Sequence, residues 1–260
     1  MSSPGFLDVA ISLVLVAVAI AVSRWWKIPV QKDMAFGSVR AFVQLVAVGY
    51  ALKYIFALES FWLILLAIMI MLTVGAKVAA GRVTGVSGAF LVTFTAMVLG
   101  SLLTLGLMLA VGLIDFEARY VIPLAGMLAS NCMNASTLTI RRISTDITDH
   151  RLAIESSLSL GKTWREASLP YQREAAIAGM ISMLNFMKTV GIVALPGAMT
   201  GMILAGATPL HAVLLQLIVG YMLLSSVTIT SIVTLELTIR KFFTPCHQLS
   251  LPTSPSGASS

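Results

Sequence analysis

Charge is what this sequence has least of. Asp, Glu, Lys and Arg make up 11% of its 260 residues, where an ordinary soluble domain carries about a quarter. With 58% hydrophobic residues and a mean hydropathy of +0.94, this excludes a soluble globular fold and predicts a polytopic membrane protein. Acids are scarcer still, 11 against 17 bases, and Glu236 is the only one expected near membrane depth, which counts against a carboxylate proton relay. The two cysteines, Cys132 in an apolar run and Cys246 near the C-terminus, cannot pair across a membrane and give no disulfide framework. The three histidines, His150, His211 and His247, stand apart and form no ligand set, so no metal site is expected. No soluble domain is expected either. The longest polar stretch, 141 to 175, is about 35 residues, fewer than a domain of typical size.

What the chain does have is apolar runs near the 20 residues that a transmembrane helix takes. They lie at roughly 6 to 23, 38 to 58, 61 to 79, 88 to 113, 120 to 140, 176 to 206 and 210 to 239, predicting an all-α protein of about seven spans. The whole of 1 to 241 reads as one transmembrane domain. The net charge of +6 sits in short loops, so it reads as a topology signal and not as a nucleic-acid surface. Arg24, Lys27, Lys32 and Arg40, then Lys77 and Arg82, then the 141 to 175 insert, then Arg240 and Lys241 all fall on one side. By the positive-inside rule that side is cytoplasmic. Asp8, Lys53, Glu59, Asp115, Glu117 and Arg119 fall opposite, so the N-terminus is expected outside and the C-terminus inside. Residues 1 to 23 are not expected to be a cleaved signal, since Asp8 and no base precedes the long apolar run. The tail, 242 to 260, is rich in Pro and Ser and reads as disordered and cytoplasmic.

Three segments carry polar chemistry. Span five holds Ser130, Asn131, Asn134, Ser136, Thr137 and Thr139, groups that need partners or water at hydrocarbon depth. With Asn185 of span six, they either glue helices together or line a pathway. Span six, about 45 Å long by helix rise, is too long for one straight crossing. Pro196 with Gly197 predicts a kink or break, and Gly197 to Gly201 is a G-x-x-x-G pattern suited to close packing. Lys188 falls near the bilayer middle, either snorkelling or acting as a pathway cation. Met180, Met183 and Met187 share a face of span six and read as adaptable core more readily than as a soft-metal relay.

The charged insert is the third segment. Gly161-Lys162-Thr163 is not a phosphate-binding loop, because Ser156 stands where the first glycine belongs and no strand precedes it. The chain therefore has no expected ATPase chemistry and no cofactor of its own. Ile143, Ile147, Ile154 and Leu158 continue span five as an amphipathic helix, which Gly161 ends. Thr163 and Glu166 form a capping box that starts a short helix carrying Trp164 and Ala167, and Pro170 is expected to stop it and open the next. That short helix suits a protein partner or the lipid headgroups equally.

The spacing of Glu155, Gly161 and the Leu169-Pro170 pair resembles the E-A-A-x-x-x-G…L-P coupling loop of ABC transporter permeases. From about Met127 to Leu237 the chain is similar to a family of small permeases that includes bacterial iron-export permeases and plant aluminium-sensitivity half-transporters. Asn131-Cys132-Met133-Asn134, Glu155 to Pro170 and Val190 to Gly201 carry that resemblance. Ser156 and Ser157 replace the two alanines of the general loop. The resemblance implies a permease subunit that uses ATP through a separate soluble nucleotide-binding subunit and works as a homodimer in a plasma or vesicle membrane. It implies export or vesicular loading linked to aluminium or iron tolerance, of a metal complex or an organic solute such as a nucleotide sugar. The implied coupling residues are Glu155, Gly161, Trp164, Glu166, Leu169 and Pro170; the pathway residues are Asn131, Asn134, Asn185 and Lys188; the hinge is Pro196, Gly197 and Gly201. A seven-span receptor fits less well, lacking Asp-Arg-Tyr after span three and Asn-Pro-x-x-Tyr in span seven. A secondary carrier lacks the buried acids.

Overall fold

The computed structural model describes residues 6–58, 60–83, 85–244 and 248–250, with side chains placed from residue 11 onward except at 52–53 and 55–58. Asp8, Lys53, Glu59, Cys246 and His247 lie outside the described side chains. The described chain is all α, as the composition requires: α1 (Phe6–Trp25), α2 (Gln31–Leu58), α3 (Phe61–Gly81), α4 (Ala89–Ala110), α5 (Ala118–Asp149), α6 (Arg151–Ser159), α7 (Trp164–Thr189), α8 (Gly197–Leu204) and α9 (Pro209–Ile239). Four helices are long and apolar enough to cross a membrane, over Gln31–Ala51, Phe61–Gly81, Ala89–Ala110 and Pro209–Ile239, and α1 adds the shorter apolar stretch Ile11–Trp25. The polar residues of α5 and the charged first turns of α7 keep those two helices out of that set.

The chain forms two compact units, residues 1–60 and 61–260. In the first, α1 packs on α2 through a turn in which Ser23 Oγ donates to Ile28 O at 3.1 Å and Lys27 takes a left-handed φ of 54°. In the second, α5 packs on α3, α4, α7 and α9, while α9 also meets α4, α7 and α8. Lipid tails are as apolar as leucine, so such helices are held by close packing and interhelical hydrogen bonds. Cys132 Sγ and Ser226 Oγ stand 2.8 Å apart, Ser136 Oγ and Thr234 Oγ1 3.0 Å apart, and Thr93 Oγ1 donates to Ala76 O at 3.2 Å. Gly100 lets α4 close onto Thr230 of α9, and Gly179 lets α7 close onto Thr139 and Ser231.

The polar row of span five therefore divides. Ser136, Thr137 and Thr139 are buried in helix contacts, while Ser130 and Asn134 remain exposed and Asn131 is partly covered.

The insert is continuous with this bundle. α5 extends to Asp149, and its Ile143 and Ile147 are buried with Ile154 of α6 against Leu235, Ile239, Phe242 and Phe243. The amphipathic periodicity thus marks a real face, although the helix breaks at His150, whose ring lies 4.7 Å from Tyr171. Two expectations need correction. Pro170 neither stops a helix nor starts one: it sits inside α7, which runs unbroken from Trp164 to Thr189. The packing of Ala167, Ser168 and Ala175 outweighs the one hydrogen bond that Pro170 withholds. The expected tail boundary is also too early. Phe242 and Phe243 are buried, Ser250 N donates to Phe242 O at 2.8 Å, and Thr244 N donates to Gln248 O at 2.8 Å. Residues 251–260 lie outside the described chain.

Candidate functional site

The insert is built by two well-defined helix ends. After α6, Gly161 takes φ 86°; its N–H donates to Leu158 O at 2.9 Å and that of Lys162 to Ser157 O at 3.2 Å. This is a Schellman termination, which needs the left-handed conformation that glycine adopts without cost. Two residues later the Thr163 side chain accepts from Glu166 N while the Glu166 carboxylate accepts from Thr163 N at 2.9 Å, the capping box expected from the sequence. Those bonds from the Thr163 backbone and hydroxyl hold the Glu166 carboxyl below its usual range. The cap is thus strengthened at pH values above the ordinary carboxyl value of 4.5 and weakens as pH falls through the lower folded value. Amide-exchange protection at Thr163 and Glu166 is expected to drop on that acidification. In Glu166→Ala the protection should be low at neutral pH and insensitive to acid.

Among the implied coupling residues, Glu155 is half-buried and accepts from Arg151 Nε at 2.7 Å, a surface pair worth a few tenths of a kcal/mol at most. Trp164 is not a free anchor. It is half-buried, with its ring 5.7 Å from Phe243 and the Arg165 guanidinium 5.2 Å from its centroid. The ring thus packs against the chain's own core, whatever it also contacts outside it. The exposed apolar groups of the insert are instead Leu152 (78% exposed), Leu160 (82%) and Leu169 (43%). Leu152 and Leu160 fall off the Ile/Leu face that the periodicity picked out, a signal that could have marked them. Glu236 Oε1 accepts from Arg165 at 2.9 Å and from Arg240 at 2.6 Å, tying the start of α7 to the end of α9. It is thereby engaged far from Lys188, as their separation along the helices predicts.

The opposite region is a broken helix. α7 ends at Thr189, residues 190–196 form a turn with Gly191 at φ 86°, and Pro196 caps α8. The break expected near Pro196 is present, opening seven residues earlier. Met187 lies beside Gly220, about 16 Å along α9 by helix rise. Lys188 next to it is exposed, in the last turn of α7 where a cation complements the helix dipole. Asn134 and Asn185 are exposed as well, and Asn131 Nδ2 donates to Met127 O at 2.8 Å in its own helix. Among the described residues, no hydrogen bond or ion pair joins Asn131, Asn134, Asn185 and Lys188. A Cβ at Gly197 or Gly201 would meet nothing within 4 Å among the described residues, so the close approach read from their spacing is not made among them.

Two cavities flank the break. One, of about 200 Å³, is lined by Met187, Gly191, Met199 and Gln216; the other, of about 410 Å³, lies between α5, α8 and α9 with Met127, Met202 and Gln216 in its wall and Asp115 and His211 among its lining residues. Arg119, which also lines it, pairs with Glu117, and this cation holds the Glu117 carboxyl below its usual range. Gln216 went unnoticed in the sequence, though a lone amide inside an apolar helix is itself the signal.

Residues 6–243 match the family described as "Uncharacterised protein family (UPF0014)". The chain belongs to this family. It is 38% identical to the probable iron export permease protein FetB of Escherichia coli, over 93% of each chain. It is 35% identical to the UPF0014 membrane protein STAR2 of Oryza sativa, over 94% of this chain and 86% of that one. It is 34% identical to the protein ALUMINUM SENSITIVE 3 of Arabidopsis thaliana, over 94% of this chain and 90% of that one. No solved structure gives a significant match. As a UPF0014 member with several long apolar helices, the chain is a multi-pass integral membrane protein, and the resemblance read from Asn131 to Gly201 is the family relation itself.

Proposed function

We propose that this UPF0014 chain is the permease subunit of an ABC-type half-transporter, exporting or loading into vesicles a solute linked to iron or aluminium tolerance. The observation that carries the reading is α6: a nine-residue helix between two long ones, followed by a Schellman turn and a capping box, with Ile154 buried in the core and Leu152 and Leu160 bare. A rigid, ordered insert presenting unpartnered leucines suits a protein partner. The relatives named as a probable iron export permease and an aluminium-sensitivity protein support the direction and the solute class.

In this reading the chain crosses seven times, with α7, the 190–196 turn and α8 together making the sixth crossing, the N-terminus outside and the C-terminus cytoplasmic. ATP is hydrolysed by a separate soluble subunit seated on α6, near Glu155, Gly161, Trp164, Glu166, Leu169 and Pro170. A second copy of the chain covers the open glycine row Gly197 and Gly201 and the bare loop residues Ile192 (91% exposed) and Val193 (79%). The exposed Asn134, Asn185 and Lys188 then face a shared pathway. A photo-crosslinking amino acid at position 160 tests the docking site: the expected adduct is with a nucleotide-binding subunit, and adducts with lipid alone would place α6 in the headgroups.

A further inference from the structure

Gln216 is the one amide that both cavities share, and it is out of place. It lies on α9 with 8% of its surface exposed, and its Oε1 is buried without a hydrogen-bond partner among the described residues. A buried acceptor in apolar surroundings is costly to leave unmade, and it is tolerated where something else completes it. The walls around it are mostly apolar and methionine-rich, with Met187 and Met199 on one side and Met127 and Met202 on the other. Unbranched thioethers repack around differing apolar shapes. Helix α8 gives residues to both cavities yet buries none of its own, so it is a wall that can shift without dismantling core.

We propose that the two cavities form one binding site for an organic solute, or a chelate with an organic exterior, whose surface is mainly apolar and which donates a hydrogen bond to the Gln216 side chain. Their volumes, about 200 and 410 Å³, together suit a small molecule. A hydrated inorganic cation is a poor match: among the described residues no group of three or more His, Cys, Asp or Glu gathers anywhere, and hard cations take oxygen ligands. A lipid acyl chain matches the walls but offers Gln216 no donor. Asp115 and His211 in the lining of the larger cavity supply further polar groups. The inference deepens the permease reading and rests on it for the solute's being cargo.

The test uses the full chain alone in lipid nanodiscs, so loss of ATPase capture would not bear on it and its failure would leave the permease reading standing. The probes are 1-naphthylamine, which carries a donor, and 1-methylnaphthalene, which has the same shape without one, both corrected for partition into empty nanodiscs. The amine is expected to bind at least about tenfold more tightly, because sites built to hydrogen-bond reject analogues lacking the group, and Gln216→Met should erase that preference. Gln216→Met should also raise the thermal midpoint of the ligand-free chain by about 2–4 °C, as removal of an orphaned polar group does. Equal binding of the two probes, or a preference that survives Gln216→Met, overturns the proposal. So does a lower midpoint in Gln216→Met, which would show the amide to be structural.

Discussion

Gly100→Ala is expected to lower the thermal midpoint by several degrees, whereas Gly106→Ala, less than two turns further along the same helix, should leave it unchanged or slightly higher. A Cβ at Gly100 would stand 2.0 Å from Thr230 Oγ1 and 2.9 Å from Ser226 O. The threonine hydroxyl can rotate, but the Ser226 carbonyl belongs to the hydrogen-bond ladder of α9, so α4 must back away. Overpacking of this kind costs about 1–3 kcal/mol, or roughly 3–10 °C for a chain of this size. A Cβ at Gly106 would meet nothing within 4 Å among the described residues, and there alanine only improves helix propensity. Gly179→Ala should resemble Gly100→Ala, because its Cβ would meet Thr139, Ser231 and the Ala135 carbonyl at 3.1 Å. Thermal unfolding in nanodiscs checks all three, and equal midpoints for Gly100→Ala and Gly106→Ala would contradict the packing of α4 on α9.

The second large effect belongs to the insert. The double substitution Leu152→Glu with Leu160→Glu should reduce capture of the nucleotide-binding subunit by about thirtyfold or more, since one well-placed interface anchor is worth about 2 kcal/mol. Both side chains are more than three-quarters exposed, so the thermal midpoint of the chain alone should hold. Trp164→Ala should behave differently. Its ring stacks on Phe243, so capture and stability should fall together. Pull-down titration beside thermal unfolding separates the two cases, and undiminished capture by the double variant would remove α6 from the interface.

The sequence made the helices legible because apolar length is a strong signal at low charge. Ends were legible where a side chain or a glycine dictates them: Thr163 with Glu166 and Gly161 appear as read. Pro170 was misread because its local preference for a helix start is outweighed by tertiary packing around Ala167 and Ala175, which no local pattern encodes. Trp164 reads as a free anchor by type, yet its partner Phe243 is 79 positions away and sits in a segment whose Pro and Ser content suggests disorder. The polar residues of span five could be counted but not sorted into buried and bare, since that depends on which face meets α9. Gln216 stands out in the sequence as a lone amide in an apolar helix, but that its oxygen is buried without a partner between two cavities depends on tertiary packing, which no local pattern encodes.

Affinity purification of the full chain from its native membranes tests the half-transporter reading most directly. A nucleotide-binding subunit without membrane spans is expected to co-purify with the unmodified chain and to be lost with Leu152→Glu/Leu160→Glu. Transport-competent chain that purifies with no ATPase, at the same yield in both forms, would contradict it.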